Sequence, residues 1–231
     1  MTEREKIFSR IKEALQIEAS RPGHGHSHHP TADASRASPS QDARRWLPLV
    51  GESLPERLAL FQRNASDLKA EVVLVKGREE LAGSLRAFRE TDKWKKIGIH
   101  SGELTDYASN ALSLPECRTD KPYDVRELET CDAGITECDV LIAQTASILV
   151  TARSAGGRAL SVLPPHHIVL AKRSQIVADL QEAFASLKTK YAPNYPSFIS
   201  LITGPSRTGD IERILVLGAH GPKRLTILLL E

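Results

Sequence analysis

The stretch EVVLVKGREELAGSLRAFRETDKWKKIGIH, residues 71–100, contains two apolar runs separated by a helical pattern. The run at 71–75 is typical of a buried strand, and apolar residues recur at helical spacing over 78–89. A second short apolar run at 96–100 predicts another strand. Because parallel strands need a long crossover connection, this order predicts a βαβ unit with two parallel strands.

The same alternation continues along the chain. A helix is predicted before this unit at 54–68, and six further apolar runs predict strands at 139–143, 148–151, 167–171, 197–202, 214–217 and 225–230. After the strand at 167–171, an apolar stripe predicts a helix that contains Ile176, Val177, Leu180, Phe184 and Leu187. We therefore expect an α/β fold with a mostly parallel sheet, helices on both of its faces and antiparallel additions near the end.

The first fifty residues have a different pattern. Residues 1–19 predict an amphipathic helix, because four apolar residues recur at helical spacing between charges: Ile7, Phe8, Ile11 and Leu15. Residues 20–50 are rich in His, Ser and Pro and predict a flexible linker, so the α/β domain is expected to occupy 51–231. The spacing of the linker histidines does not impose a rigid site, which favours a solvated linker over a metal site at His24, His26, His28 and His29.

Composition excludes several classes of protein. Charge is nearly balanced, with 31 Lys and Arg against 29 Asp and Glu, and aromatic residues make up 5%, so nucleic-acid binding is not expected. No apolar run approaches the ~20 residues of a membrane span. The charged N-terminus does not resemble a secretory signal, so a cytoplasmic location is predicted. The three cysteines form no Cys-x-x-Cys pair and are predicted to be buried small residues: Cys117, Cys131 and Cys138.

The segment TGPSRTGDIE, residues 203–212, is rich in small and hydroxylated residues and follows an apolar run. It is predicted to be a tight turn that opens a helix. The first N–H groups of a helix are unpaired and attract anions, and Arg207 would add positive charge. The alternative is that Ser206 or Thr208 only caps the helix, with Asp210 and Glu212 satisfying its dipole.

Polar loops follow predicted strands at 144–147, 203–208 and 218–222. Because ligands of open α/β sheets bind at the carboxyl ends of strands, we predict that these loops converge on a small-anion site. The ligand-binding residues predicted there are Gln144, Thr145, Ser147, Thr203, Gly204, Ser206, Arg207, Thr208 and His220. For His220, proton transfer to a ligand and a bond to its own turn are both open. No nucleotide-binding or nucleophile motif is present, so neither a catalytic residue nor a cofactor is predicted.

Several segments resemble the lactate utilisation protein C (LutC/YkgG) family, which carries the LUD domain. They are EREKIFSRIKEAL (3–15), CDVLIAQTASILV (138–150), LPPHHIVLAKRSQIVADL (163–180) and FISLITGPSRTGDIERILVLGAHGP (198–222). The resemblance implies a fold like that of ribose-5-phosphate isomerase, glucosamine-6-phosphate deaminase and the CoA transferases (NagB/RpiA/CoA-transferase-like). It also implies action beside iron–sulfur partner subunits that oxidise L-lactate to pyruvate.

One segment departs from the family pattern. Where the family commonly has Ile-Ala-Glu-Thr-Gly followed by Ser or Thr, this chain has Gln144 and Ala146 at the Glu and Gly positions. An amide can still form hydrogen bonds to a ligand, but it cannot act as a general base or nucleophile. Alanine also lacks the freedom of glycine at positive φ, so this loop is expected to approach a ligand less closely.

Three functions are open at this stage. The leading expectation is an accessory component, without an iron–sulfur cluster, of a cytosolic L-lactate-oxidising system that binds a small carboxylate or phosphate. The alternative is a free-standing enzyme acting on a phosphorylated or CoA-linked metabolite, as an isomerase or CoA transferase does, and Gln144 argues against it. A ligand-sensing regulator is disfavoured, because no DNA-binding helix pair is predicted.

Overall fold

The structure is a computed structural model that describes residues 5–6, 8–10, 48–209, 215–217 and 221–231. The chain divides into two units, with the boundary after Arg45. In the first unit the described residues, 5–6 and 8–10, are helical. The remainder of the predicted helix at 1–19, and nearly all of the predicted linker at 20–50, lie outside the described residues, so these domain boundaries stay predictions.

The second unit alternates strands and helices. Its helices are α1 (Leu54–Asp67), α2 (Arg78–Asp92), α3 (Glu103–Leu112), α4 (Val125–Glu129) and α5 (Leu180–Tyr191). Its first six strands are β1 (Glu71–Val75), β2 (Ile97–Ile99), β3 (Glu116–Arg118), β4 (Ala133–Glu137), β5 (Val140–Ile142) and β6 (Ser147–Thr151). The others are β7 (His166–Lys172), β8 (Ile176–Val177), β9 (Ile199–Ile202), β10 (Arg207–Gly209), β11 (Leu215–Leu217) and β12 (Arg224–Leu230).

The main sheet has six strands in the order β1-β12-β7-β4-β2-β3, and every neighbouring pair is parallel. Successive side chains of a strand point to opposite faces, so a strand covered on both sides is apolar throughout. Ile227 and Leu229 pack into one hydrophobic core with α1, whereas Leu228 and Leu230 pack into a second core with α2 and α3. The predicted α/β class, with a mostly parallel sheet, is confirmed.

A second sheet contains four strands in the order β8-β5-β6-β9. Its β5–β6 and β6–β9 pairs are antiparallel, and β5 pairs with β8 in parallel. Leu141 and Ile148 face the core that contains α1, while Val140, Ile142 and Leu149 face α5. The second sheet therefore lies between the main sheet and α5, which is an extra layer that the sequence pattern did not indicate.

Two predicted elements were wrong. Ile176 and Val177 were assigned to a helix, but they form β8 beside β5, and α5 begins only at Leu180 after its capping residue Asp179. A helix was predicted to open within 203–212, but Arg207–Gly209 form the strand β10, which pairs antiparallel with β11. In both cases pairing with a neighbouring strand satisfies the backbone N–H and C=O groups that a helix would have paired internally.

Candidate functional site

The main sheet has a topological switch point between β2 and β4. From β2 the chain continues to β3 on one side, whereas from β4 it continues to β7 on the other side. Ligands of open α/β sheets bind in the crevice that such a reversal leaves at the carboxyl ends of the strands. By this rule the crevice falls beside His100, which follows β2, and Glu137, which ends β4.

The carboxylate of Glu137 lies at the N-terminus of α3. Its Oε1 accepts hydrogen bonds from the N–H groups of Leu104 at 2.8 Å and Thr105 at 3.2 Å. A Cβ at Gly102 would lie 2.4 Å from this oxygen, so glycine at that position lets the carboxylate approach. Unpaired N–H groups and the helix dipole favour a negative charge at this point. Glu137 therefore occupies the position where an anionic ligand binds in many α/β proteins.

His100 is buried beside this carboxylate, with 2% of its surface exposed. Its Nδ1 lies 2.9 Å from the carbonyl oxygen of Ser101, and its Nε2 accepts from the N–H of Glu137 at 3.4 Å. Burial lowers the pKa of His100, so the imidazole is neutral at pH 7. The backbone of Gly156, with φ of 59°, packs directly on His100, and a Cβ there would lie 2.4 Å from the His100 Cβ.

Arg118, at the end of β3, connects the acidic side chains around the crevice. Its guanidinium lies 2.7 Å from Asp106, 3.1 Å from Glu116 and 3.4 Å from Asp120. The hydrogen bond to Asp106 is the main reason why its pKa is raised above the usual arginine value. Arg118 is consequently a permanent positive charge that fixes the carboxylates on the outer side of the crevice.

The structure brings some of the predicted ligand-binding residues together. The turn at 144–147 joins β5 to β6 in the second sheet. Within it the hydroxyl of Thr145 donates to Ser147 Oγ at 2.8 Å, and Ser147 Oγ lies 2.7 Å from Thr203 Oγ1. Two of the three predicted loops therefore meet through a row of three hydroxyl groups.

Gln144 and Ala146 have structural contacts in this turn. The amide nitrogen of Gln144 donates to the carbonyl of Pro48 at 3.1 Å, and its backbone carbonyl accepts from Asn64 Nδ2 at 3.0 Å. Ala146 is buried and has φ of 50°, a left-handed conformation that costs a residue with a Cβ roughly 1–2 kcal/mol. This is the conformation in which the glycine expected from the family pattern would be unstrained.

The predicted loop at 203–208 also has contacts at the amino edge of the main sheet. Ser206 donates its N–H to the carbonyl of Pro222 at 2.9 Å, and the guanidinium of Arg207 donates to the carbonyl of Leu68. Pro222 and Leu68 precede β12 and β1, so this loop reaches the amino edge. β5 and β9 both belong to the second sheet, whereas β11, which precedes the third loop, pairs with β10 in a separate two-stranded sheet, so the expectation that all three loops follow strands of one sheet was wrong.

The remaining predicted residues have separate positions. Gly204 has φ of 80°, a conformation that favours glycine, and a Cβ there would lie 3.0 Å from the carbonyl oxygen of Leu68. Thr208 is part of β10, where it pairs with Val216. His220 lies outside the described residues. Whether these residues bind a ligand stays a prediction.

The hydroxyl contact between the two loops is expected to stabilise the fold. Thr203→Val should lower the free energy of unfolding by about 1 kcal/mol, because the buried hydroxyl of Ser147 then lacks its partner. Ser147→Ala should lower it by a similar amount, because it removes the hydrogen bonds to both Thr145 and Thr203. In a double-mutant cycle measured by urea unfolding, we expect a coupling energy of about 0.5–1 kcal/mol. Strict additivity would contradict a direct bond between the two hydroxyls.

The three cysteines lie in apolar surroundings. Cys138 packs in the core with α1, whereas Cys117 and Cys131 pack with Leu128 and Leu160. Burial raises the pKa of all three thiols, for Cys131 to about 11. The thiolate, which is the form that binds metals, is therefore disfavoured. Among the described residues, no cluster of His, Cys, Asp or Glu is arranged to hold a metal ion.

The sequence did not identify His100, Arg118 or Glu137 as site residues. His100 is the last residue of the strand predicted at 96–100, so a polar residue at the carboxyl end of a predicted strand was the available signal. Glu137 gave no such signal, because its strand β4 was not predicted.

In the part of the chain that the structure describes, no helix is long and apolar enough to cross a bilayer.

A parallel main sheet, a switch-point crevice and a second mixed sheet define an α/β protein with its polar site at the carboxyl edge. The model of the LUD domain family matches residues 58–230, and the chain belongs to this family. A crystal structure of a DUF162 family protein from Deinococcus radiodurans has the same fold, with a TM-score of 0.63 and 25% identity. The alignment covers 80% of this chain and 100% of that one.

The chain is also similar to curated proteins named Lactate utilization protein C. Lactate utilization protein C of Bacillus licheniformis is 31% identical over 146 residues, which is 61% of this chain and 60% of that protein. The protein of the same name from Macrococcus caseolyticus is 35% identical over 105 residues, or 45% of this chain and 46% of that protein. The matches thus span three fifths or less of the length of these relatives.

Proposed function

We propose that the protein takes part in lactate utilisation, as a cytoplasmic accessory component that acts beside iron–sulfur subunits in the oxidation of L-lactate. The observation that carries this proposal is the similarity to relatives named Lactate utilization protein C, at 29–35% identity. The chain has three cysteines, whereas an iron–sulfur cluster generally takes four thiolates. Burial of these thiols in two separate hydrophobic clusters supports a subunit without a cluster of its own.

Growth of the host on L-lactate tests this role. Deleting the gene should slow growth on L-lactate as the carbon source but leave growth on pyruvate unchanged, because only the oxidation step is lost. A plasmid copy of the full chain should restore growth. Purification of the untagged protein with an antibody should also recover iron–sulfur proteins in stoichiometric amounts. Equal growth of the deletion strain on both carbon sources would contradict the proposal.

The proposal includes a small carboxylate or phosphate ligand at the hydroxyl-lined loops. The hydroxyls of Thr145, Ser147 and Thr203 form one row, and a guanidinium has five N–H donors. The bond from Arg207 to Leu68 uses one of these donors. Gln144 binds Pro48 through its amide, which argues against the alternative of an enzyme with a catalytic residue in this turn.

Calorimetric titration of the full chain with L-lactate, pyruvate and inorganic phosphate tests this ligand site. Arg207→Ala should weaken the binding of whichever anion binds by roughly tenfold to a hundredfold, because hydrogen bonds to charged groups contribute about 1.5–3 kcal/mol. Arg126→Ala, which removes an exposed arginine on α4, is the matched control and should leave binding unchanged. Equal affinity of Arg207→Ala and the unchanged chain would contradict the site.

A further inference from the structure

A row of polar side chains crosses the amino edge of the main sheet. The hydroxyl of Thr226 on β12 donates to Glu71 Oε2 on β1 at 3.0 Å, and its oxygen lies 2.9 Å from His166 Nε2 on β7. On the other side of the imidazole, His166 Nδ1 lies 3.5 Å from Asp92 Oδ2 at the end of α2. The row therefore links four elements of the fold, β1, β12, β7 and α2.

Counting protons along this row determines the tautomer of His166. The single hydroxyl proton of Thr226 is directed to Glu71, so the Thr226 oxygen must accept from His166 Nε2–H. A neutral imidazole has only one N–H, so Nδ1 then presents a lone pair to Asp92. In agreement, Nδ1 is fully buried and forms no hydrogen bond with any described residue. The contacts Thr226–Glu71, His166–Thr226 and His166–Asp92 each need one proton. With His166 neutral, the Thr226 hydroxyl and the Nε2–H group supply only two.

The groups around His166 keep it neutral. Arg224 on β12 binds Asp92 at 2.7 Å and lies 3.8 Å from Glu71, so its positive charge stands beside the imidazole. Phe88 of α2 and Trp94 contact the ring edge to face, with centroid distances of 5.7 and 5.5 Å.

The remaining neighbours add no free charge to the ring. On β4 the residue paired with His166 is Ala133, and the adjacent Asp132 accepts from the N–H groups of Lys95 and Lys96. Burial first, and Arg224 second, lower the pKa of His166 to about 4, although Asp92 acts in the opposite direction.

We propose that Glu71, Thr226, His166 and Asp92 form an acid-responsive clamp that is one proton short at neutral pH. When His166 takes up a proton from solvent, Nδ1–H donates to Asp92 while Nε2–H still donates to Thr226. The three contacts are then complete, and α2 is bonded to β7, β12 and β1. Arg224 sets the pH of this change, because its guanidinium competes with the imidazolium for Asp92.

NMR of the full chain with 15N-labelled histidine tests the clamp. At pH 7.5 the His166 resonances should show the neutral Nε2–H tautomer, and protonation should have its midpoint below pH 5. Arg224→Gln should raise that midpoint by at least one pH unit, because the competing charge is removed. Asp92→Asn should lower it, since the imidazolium then loses its carboxylate partner.

Arg86→Gln, on the exposed side of the same helix α2, is the matched control and should leave the midpoint unchanged. An Nδ1–H tautomer or an imidazolium at pH 7.5 would overturn the proposal. This measurement is made on the unchanged chain, so it does not depend on the folding of a variant. An identical midpoint in Arg224→Gln and the unchanged chain would overturn the assigned role of Arg224.

Discussion

Replacing Gly134 with alanine is expected to lower the free energy of unfolding by at least about 3 kcal/mol. Gly134 lies in β4, which is hydrogen-bonded to β7 on one side and β2 on the other. A Cβ at this position would lie 2.3 Å from the carbonyl oxygen of Leu160 and 3.0 Å from Pro164 Cγ. Because the closest atom belongs to the backbone, no rotation of a side chain relieves the clash.

Gly83→Ala is the matched control for this substitution. Gly83 lies in α2, and a Cβ there would meet nothing within 4 Å. Alanine is the better helix former, so this variant should be more stable by roughly 0.5–1 kcal/mol. Urea unfolding followed by circular dichroism measures both changes. A Gly134→Ala variant within 1 kcal/mol of the unchanged chain would show that the Leu160 segment moves aside easily.

Gly134 also illustrates why part of the fold was predictable from sequence and part was not. The strands β1 and β12 contain uninterrupted aliphatic runs, at 72–75 and 227–230, and this pattern identifies them directly. The central strand β4 has the sequence AGITE and lacks such a run. Its glycine reflects the close approach of Leu160, a tertiary contact that no local pattern indicates.

The same distinction applies to the wrong helix boundary. The residues Ile176 and Val177 continue the apolar stripe of α5, so periodicity alone joins them to the helix. Their assignment to β8 depends on the neighbouring strand β5, which is more than thirty residues away in sequence. Strand pairing of this kind depends on tertiary structure, whereas helix periodicity is a local property.

The candidate site was also only partly predictable from the sequence. The hydroxyl row at Thr145, Ser147 and Thr203 was predictable, because polar loops that follow strands of one sheet come close together. The switch-point crevice was not predictable from the sequence. Glu137 becomes a site residue only because the N–H groups at the start of α3 donate to its carboxylate. That geometry requires the order of strands in the sheet, which the sequence does not specify.

Lowering the pH from 7.5 to 5 is expected to reduce the free energy of unfolding by roughly 4 kcal/mol. Two adjacent histidines of β7, His166 and His167, have the largest shifts and account for this value, and the lowered pKa of the buried His100 acts in the same direction. His166 and His167 are 4% and 1% exposed, and burial lowers the pKa of His166 to about 4 and that of His167 to about 3. In the unfolded chain each has a pKa near 6.5.

The direction of the effect follows from proton binding. Between pH 6.5 and 4 the unfolded chain binds protons at both histidines, while the native state keeps both neutral, so acidification favours unfolding. This stability is complete above pH 6.5 and is lost as the pH falls towards the native pKa values. Carboxyl groups contribute little above pH 5, because the shifted ones, such as Asp120 and Asp139, have pKa values below their usual range.

His167→Gln separates the two contributions. His167 Nε2 lies 2.9 Å from Thr136 Oγ1, and the amide of glutamine retains a hydrogen-bonding group without titrating. Urea unfolding of this variant at pH 7.5, 6 and 5 should show about half of the pH dependence, whereas His26→Gln in the predicted linker should show all of it. A stability that stays constant between pH 7.5 and 5 would mean that both imidazoles take up protons as readily in the native state as in the unfolded chain. That outcome would also contradict the protonation of His166 below pH 5 that the acid-responsive clamp requires.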